Sequence, residues 1–238
     1  TTRHTISTMT YDELREAKNR KIKEKNIDIA IKYAEKMLPL CKDMHEANHL
    51  TIELADLLFQ NGDLEKAGKH YKEFAKLYPG YDKIEHAEHR SILCSFYGML
   101  DATRDQTKTK ETLELTQKFL ERADVFTQFS AEVASIQKQC YARLVESEVS
   151  ILEFYLNRDS LKAAQTRIDG LRKEFASVTP DLEPKLLAYE IQLAQKRNDP
   201  AAVELKQLEL QEKFPMYSQV TVVLASADKK KTDFSQKF

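Results

Sequence analysis

The chain has 238 residues, a formal net charge of −1 at pH 7, 42% hydrophobic and 32% charged residues. Such a chain buries a core as one long domain or two short ones, offers no overall basic field for nucleic acid, and contains no run near the ~18 apolar residues that span a bilayer. Five glycines, six prolines and no tryptophan, among abundant Ala, Leu, Glu, Lys and Gln, predict an all-α fold.

In chain order, the opening "TTRHTISTMTYDEL" has no apolar signal region or cleavage site, so any targeting signal is expected outside these residues. Lys18, Arg20, Lys21, Lys23 and Lys25 form a basic run, and Lys229–Lys231 a second one. Both read as solvated faces or tails. A first helix pattern follows in "DIAIKYAEKML", with Ala30, Ala34 and Met37 on one face.

Residues 45–49, "HEANH", match the H-E-x-x-H string of zinc peptidases, in which two imidazoles grip the metal and a glutamate activates water. A peptidase using His45, Glu46 and His49 is therefore the rival reading of another class. Pro39 argues against a continuous helix through Cys41, His45 and His49, and His45 is expected to precede the helix. The apolar stripe of that helix, Leu50, Leu54, Leu57 and Leu58, leaves His49 roughly 130° away. The string thus reads as a helix entrance, with no metal expected.

The clearest repeat runs from Asn48 to Pro79. Leu54, Ala55 and Leu58 lie on one helix, "QNGD" forms a turn, and Ala67, Tyr71, Phe74 and Pro79 mark a second helix and its end. Small residues let two antiparallel helices approach, large ones fill the space beside them, and proline stops the second. This is the tetratricopeptide pattern. Its groove-facing offsets would be His49, Ile52, Asp56 and Phe59, expected to line a peptide-binding surface. His86, His89 and Cys94 in "IEHAEHRSILC" read as a solvated helix face with one core thiol.

Weaker copies of the second-helix signature follow at Thr112, Thr116 and Phe119, at Ala164, Ile168 and Leu171, and at Val203, Gln207 and Leu210, closed by Pro215. With Ala30 and Ala67, the anchors 30, 67, 112, 164 and 203 give five units spaced by 37, 45, 52 and 39 residues. A long helix from about 131 to 157 explains the largest gap: Ile136, Cys140, Leu144, Ser147, Ile151, Phe154 and Tyr155 keep helical phase there. It is expected to join two halves of a helical-repeat solenoid, residues 1–126 with a client groove and 127–238 for docking a partner. An irregular tail, opened by a capping helix, is expected after 215.

Cys41, Cys94 and Cys140 are odd in number and contain no C-x-x-C. They form neither a disulfide framework nor a zinc ribbon; Cys94 and Cys140 read as buried thiols, with a single bridge left open. No glycine-rich phosphate loop or nucleophile elbow is present, so neither a cofactor nor catalysis is expected.

Two stretches carry a resemblance. "RDQTKTKETLELTQKFLER", Arg104 to Arg122, and "ARLVESEVSILEFYLNRDSLKAAQTRIDGLRKEF", Ala142 to Phe175, resemble segments of the BamD family. These are five-repeat tetratricopeptide lipoproteins of the outer-membrane β-barrel assembly machine, and the likeness extends from about Tyr11 to Pro215. It implies a scaffold on the periplasmic face of the outer membrane, held by a lipid anchor absent from this chain. The C-terminal half would dock a POTRA domain of the barrel-inserting partner, with Arg167 in the A-A-x-x-R segment making the contact. Arg104 and Asp105 would be further partner-binding residues, Asp105 or Thr107 also capping a helix. The N-terminal repeats would receive segments of unfolded outer-membrane proteins, and other lipoproteins of the machine would be partners. The chain departs from the family in having no cysteine before Cys41 and no proline after repeats three and four. A general adaptor or secretion chaperone that binds short peptide motifs is the alternative.

Overall fold

The structure, a computed structural model, describes residues 8–217. Ten α-helices lie wholly within them: α1 Tyr11–Lys23, α2 Ile27–Met37, α3 Met44–Gln60, α4 Leu64–Leu77, α5 Ile84–Tyr97, α6 Thr107–Leu120, α7 Ser130–Asn157, α8 Leu161–Phe175, α9 Leu182–Lys196 and α10 Pro200–Lys213. The fold is all-α, built from consecutive packed helix pairs of tetratricopeptide type, as the sequence predicts. The Lys229–Lys231 run and the tail beyond residue 217 lie outside the described residues.

Local chemistry sets the helix ends. Thr10 and Glu13 form a capping box on α1: the Glu13 carboxylate accepts the Thr10 N–H at 2.8 Å, and the Thr10 hydroxyl accepts the Glu13 N–H. Pro39 lies in a 3-10 turn, Leu38–Leu40, that separates α2 from α3. In the "QNGD" turn, Gly62 has φ +83°, a conformation that suits a residue without Cβ. Asp199 caps α10 by accepting the Ala202 N–H at 3.0 Å, and Pro200 starts the helix where no amide is needed.

Two compact units result, one from residues up to Asp101 with Asp105–Cys140, the other from Ala102–Arg104 and the residues from Tyr141 on. The division falls inside α7; the sequence reading divided the chain at 126/127. In the first unit α1 packs on α2, and each helix through α6 packs on the next; in the second, α8 packs on α9 and α9 on α10.

Small residues sit at the crossings. Ala30, Ala34, Ala55, Ala67, Ala87 and Ala164 are fully buried, with Tyr71, Phe74, Ile168 and Leu171 filling the space beside them. Gly68 brings α4 so near α5 that an added Cβ would lie 3.1 Å from the Cys94 Cβ. Where the third unit has threonines instead of alanines, their hydroxyls are satisfied locally. Thr112 donates to the Lys108 carbonyl at 2.7 Å and lies 2.9 Å from the Ser95 hydroxyl; Thr116 donates to the Leu113 carbonyl at 2.7 Å. The fifth unit is thinner: on α10 only Leu210 is buried, and Gln207 is exposed.

Three expectations are corrected here. Lys18 is not part of a solvated run, because its side chain is buried and its Nζ pairs with Glu53 on α3. His89 is buried rather than solvated, with its ring stacked on Phe129 at 4.0 Å and 3° between planes. The lower half of α7 buries Leu152 and Leu156, whereas Phe154 is 50% exposed under Arg158. The buried positions there, Leu144, Leu152 and Leu156, are separated by eight and four residues and share one stripe, and Phe154 falls off it. The three cysteines are free thiols, Cys94 and Cys140 buried. Burial pushes the Cys94 thiol up to about 11.

Leu152→Ala is expected to lower stability by about 2–5 kcal/mol, because it removes a buried side chain, and Phe154→Ala by less than about 1 kcal/mol. Urea unfolding of both variants measures this, and equal losses would refute the assignment of the stripe.

Candidate functional site

The histidine string acquires its role from the start of α3. Asp43 caps the helix, accepting the Glu46 N–H at 2.9 Å, and the Glu46 carboxylate reaches back to accept the Lys42 N–H at 2.8 Å. His45 therefore lies inside the first turn, contrary to the expectation that it precedes the helix. Its ring meets that of His49 edge-on at 4.6 Å, and the Tyr81 hydroxyl lies 3.3 Å from its Nδ1. Glu46 is thus a capping side chain. Among the described residues no group of three or more His, Cys, Asp or Glu converges to hold a metal.

Of the four groove positions named from the sequence, three reach the surface of the first unit. His49 is exposed, while Asp56 and Phe59 are half-buried. Ile52 is corrected: it is 1% exposed and belongs to the core between the helices, so it lines no groove. A stripe drawn on one helix cannot show that a neighbour covers one of its members.

Around these residues the structure assembles partners that sequence spacing did not reveal. Asp56 accepts hydrogen bonds from the Tyr71 hydroxyl at 2.5 Å and from His86 Nε2, 2.9 Å away, tying α3 to α4 and α5. Burial alone would raise the Asp56 carboxyl, but these two bonds and the nearby Arg90 charge outweigh it and hold the pKa below its ordinary value. Tyr71 is pushed up by burial and by bonding to the carboxylate. Phe59 lies under the Arg90 guanidinium, 4.7 Å from ring centroid to Cζ, with the exposed Tyr97 ring at 6.3 Å. The surface carries an imidazole pair with Tyr81, a polar clamp at Asp56, and an aromatic–guanidinium cradle at Phe59, Arg90 and Tyr97. Such a set suits extended peptide, offering stacking, a cation and hydrogen bonds without a closed pocket.

The loop before α7 is pinned from α5. The Glu85 carboxylate accepts the Gln128 and Phe129 N–H groups at 2.7 and 3.0 Å, and Glu88 pairs with Arg122. His89 Nε2 lies 3.0 Å from a Glu132 oxygen, without the alignment of a hydrogen bond. Burial lowers the His89 pKa, and the Glu132 charge only partly opposes this.

In the second unit, Arg167 on α8 donates from Nη1 to Glu148 on α7 at 2.8 Å, with its side chain 40% exposed. Arg172 is far more committed. Its Nε lies 3.0 Å from both Glu183 oxygens, and its Nη1 bonds Glu190 at 3.0 Å. Lys206 on α10 extends this network to Glu190 and Glu209. Arg104 is exposed. Asp105 accepts the Thr107 hydroxyl at 2.8 Å and the Thr107 N–H at 3.2 Å, pinning the entrance to α6.

Paired helices that expose rows of varied polar and aromatic side chains define a helical-repeat protein of tetratricopeptide type. No described helix is long and apolar enough to cross a membrane. The family model described as YfiO, outer membrane lipoprotein, matches residues 7–210, and the chain belongs to that family. Among curated proteins none matches the sequence.

Because folding lowers the His89 pKa below 6.5, the unfolded chain takes up the proton first. The His89 contribution is complete above pH ~6.5 and is lost as pH falls below it. Asp56 acts in the same direction only below pH ~4, as its depressed carboxyl is protonated. The melting temperature is expected to drop between pH 7.5 and 5.5, and to drop less in His89→Gln. Thermal melts across that range test the assignment, and an unchanged slope in the variant would refute it.

Proposed function

We propose that this chain is a non-catalytic scaffold of the outer-membrane protein assembly machinery, working at the periplasmic face of the outer membrane from a lipid anchor. The match to an outer-membrane lipoprotein family over residues 7–210 carries this reading. The POTRA region of the barrel-inserting partner docks on Arg167 of the second unit as the principal contact, with Arg104 and Asp105 as lesser ones. The first unit receives segments of unfolded outer-membrane proteins along His49, Asp56, Phe59, Arg90 and Tyr97. Other lipoproteins of the machine bind elsewhere on the same scaffold.

The chemistry supports a division of labour. A client segment must be held loosely and released, which suits stacking on Phe59 and Tyr97 and one guanidinium, with no deep enclosure. A permanent partner needs a directional contact, and a half-exposed arginine can grip a carboxylate through two parallel hydrogen bonds.

Reversing the charge at Arg167 sets a carboxylate against the partner's carboxylate and leaves both unpaired. Arg167→Glu is expected to weaken binding to the purified POTRA region by about tenfold or more, while capture of an unfolded outer-membrane protein stays near wild type. Phe59→Ala with Tyr97→Ala is expected to do the reverse. Calorimetry on the POTRA region and a client-capture assay on the same variants separate the two surfaces. If Arg167→Glu leaves POTRA binding unchanged, the docking assignment fails.

A further inference from the structure

Glu148 occupies an unusual place on α7. Leu144, Leu152 and Leu156 are buried on one four-residue register, and the half-buried Glu148 fills the gap between Leu144 and Leu152. A carboxylate on an otherwise apolar stripe is costly unless it is paired. Arg167 pairs it, reaching across from α8, where Ala164, Ile168 and Leu171 are buried beside it. The two side chains are 35% and 40% exposed, so the pair lies at the rim of the helix contact with one side open to solvent.

Only one of the five guanidinium N–H groups is used in this pair, an Nη1 donor to Glu148 Oε2. The Nε and Nη2 donors bond no protein group among the described residues, and together they form an edge that matches the two oxygens of a carboxylate. We propose that Glu148 is a positioning residue for Arg167: it holds the guanidinium by one nitrogen so that the remaining edge faces an acidic side chain of the docking partner. The proposal rests on the reading of Arg167 as the docking contact. Its partner is defined by chemistry, a protein surface presenting an aspartate or glutamate.

Two effects oppose each other, and size decides between them. A flexible arginine that must be immobilised on binding loses about 2- to 10-fold in affinity, a loss that Glu148 avoids by ordering the side chain beforehand. Its negative charge also repels the incoming carboxylate, but across a rim open to water that repulsion is screened. Ordering therefore outweighs repulsion. Two substitutions separate them: Glu148→Ala removes both the acceptor and the charge, whereas Glu148→Gln keeps a side-chain oxygen to orient Arg167 and removes only the charge.

The experiment measures calorimetric affinity of the full chain for the purified POTRA region, with Arg167→Glu as reference and melting temperature as control for folding. Expected are a loss of about 2- to 10-fold for Glu148→Ala, affinity for Glu148→Gln at or above the wild-type value, and melting temperatures close to wild type for both, since a half-exposed pair contributes little to stability. Wild-type or tighter binding by Glu148→Ala, or equal weakening by both variants, overturns the positioning role while leaving the docking role of Arg167 intact. Unchanged binding by Arg167→Glu overturns both.

Discussion

No helix of this chain can cover its own apolar face, and each must bury it against the next at short distance. That single constraint accounts for the small residues at the crossings. Ala30, Ala34, Ala55, Ala67, Ala87 and Ala164 are fully enclosed, and at Gly68 even a methyl group would press on Cys94. Stability in such a stack is a sum of nearest-neighbour contacts, with no central core. The side of each helix turned away from these crossings is then free to vary, and there the Asp56 clamp and the Phe59–Arg90–Tyr97 cradle sit. The surface proposed for binding and the packing surface are two faces of the same helices.

Much of this architecture was legible because close packing imposes a period. The spacing of Ala67, Tyr71 and Phe74 is the spacing of a helix packed tightly on its neighbour, and all three are buried. The long helix expected over about 131–157 runs from Ser130 to Asn157 because nothing in that stretch breaks a helix. What failed to be legible depended on a third element. Ile52 shares a face with Asp56 yet is covered, and Lys18 belongs to a basic run yet is drawn into a contact with Glu53. His89 looked solvated until the loop carrying Phe129 folded over it. For Lys18 and His89 the deciding partner is distant in sequence, beyond the reach of a pattern drawn on one helix.

The candidate site was legible to a lesser degree for the same reason. His49, Asp56 and Phe59 follow from the repeat register, since that register fixes which way a helix faces. Arg90, Tyr97 and His86 do not, because their contribution comes from α5 crossing beside α3, and no local signal marks an arginine that will stack on a ring. The H-E-x-x-H string misled in a different way. Aspartate followed three residues later by glutamate is also the chemistry of a helix start, and Asp43 and Glu46 serve that end.

Charged pairs between neighbouring helices complete the picture. Apolar faces slide past one another at little cost, so a stack held by them alone has a poorly fixed register. Lys18–Glu53, Lys72–Glu111, Arg172–Glu183 and Lys206–Glu190 each join two different helices, and pairs with one member open to water add little net stability. Misalignment would strand a charge at a partly dry contact, so they penalise the wrong register more than they reward the right one. The two arginines of α8 show how far such pairing can go. Burial disfavours the charged form of Arg172, but two carboxylates outweigh it and raise the pKa, with three of its contacts already filled. Arg172 is thereby consumed by the fold. Arg167 makes one such bond among the described residues and is 40% exposed, which is the physical difference between an arginine that sets a register and one able to recognise a partner.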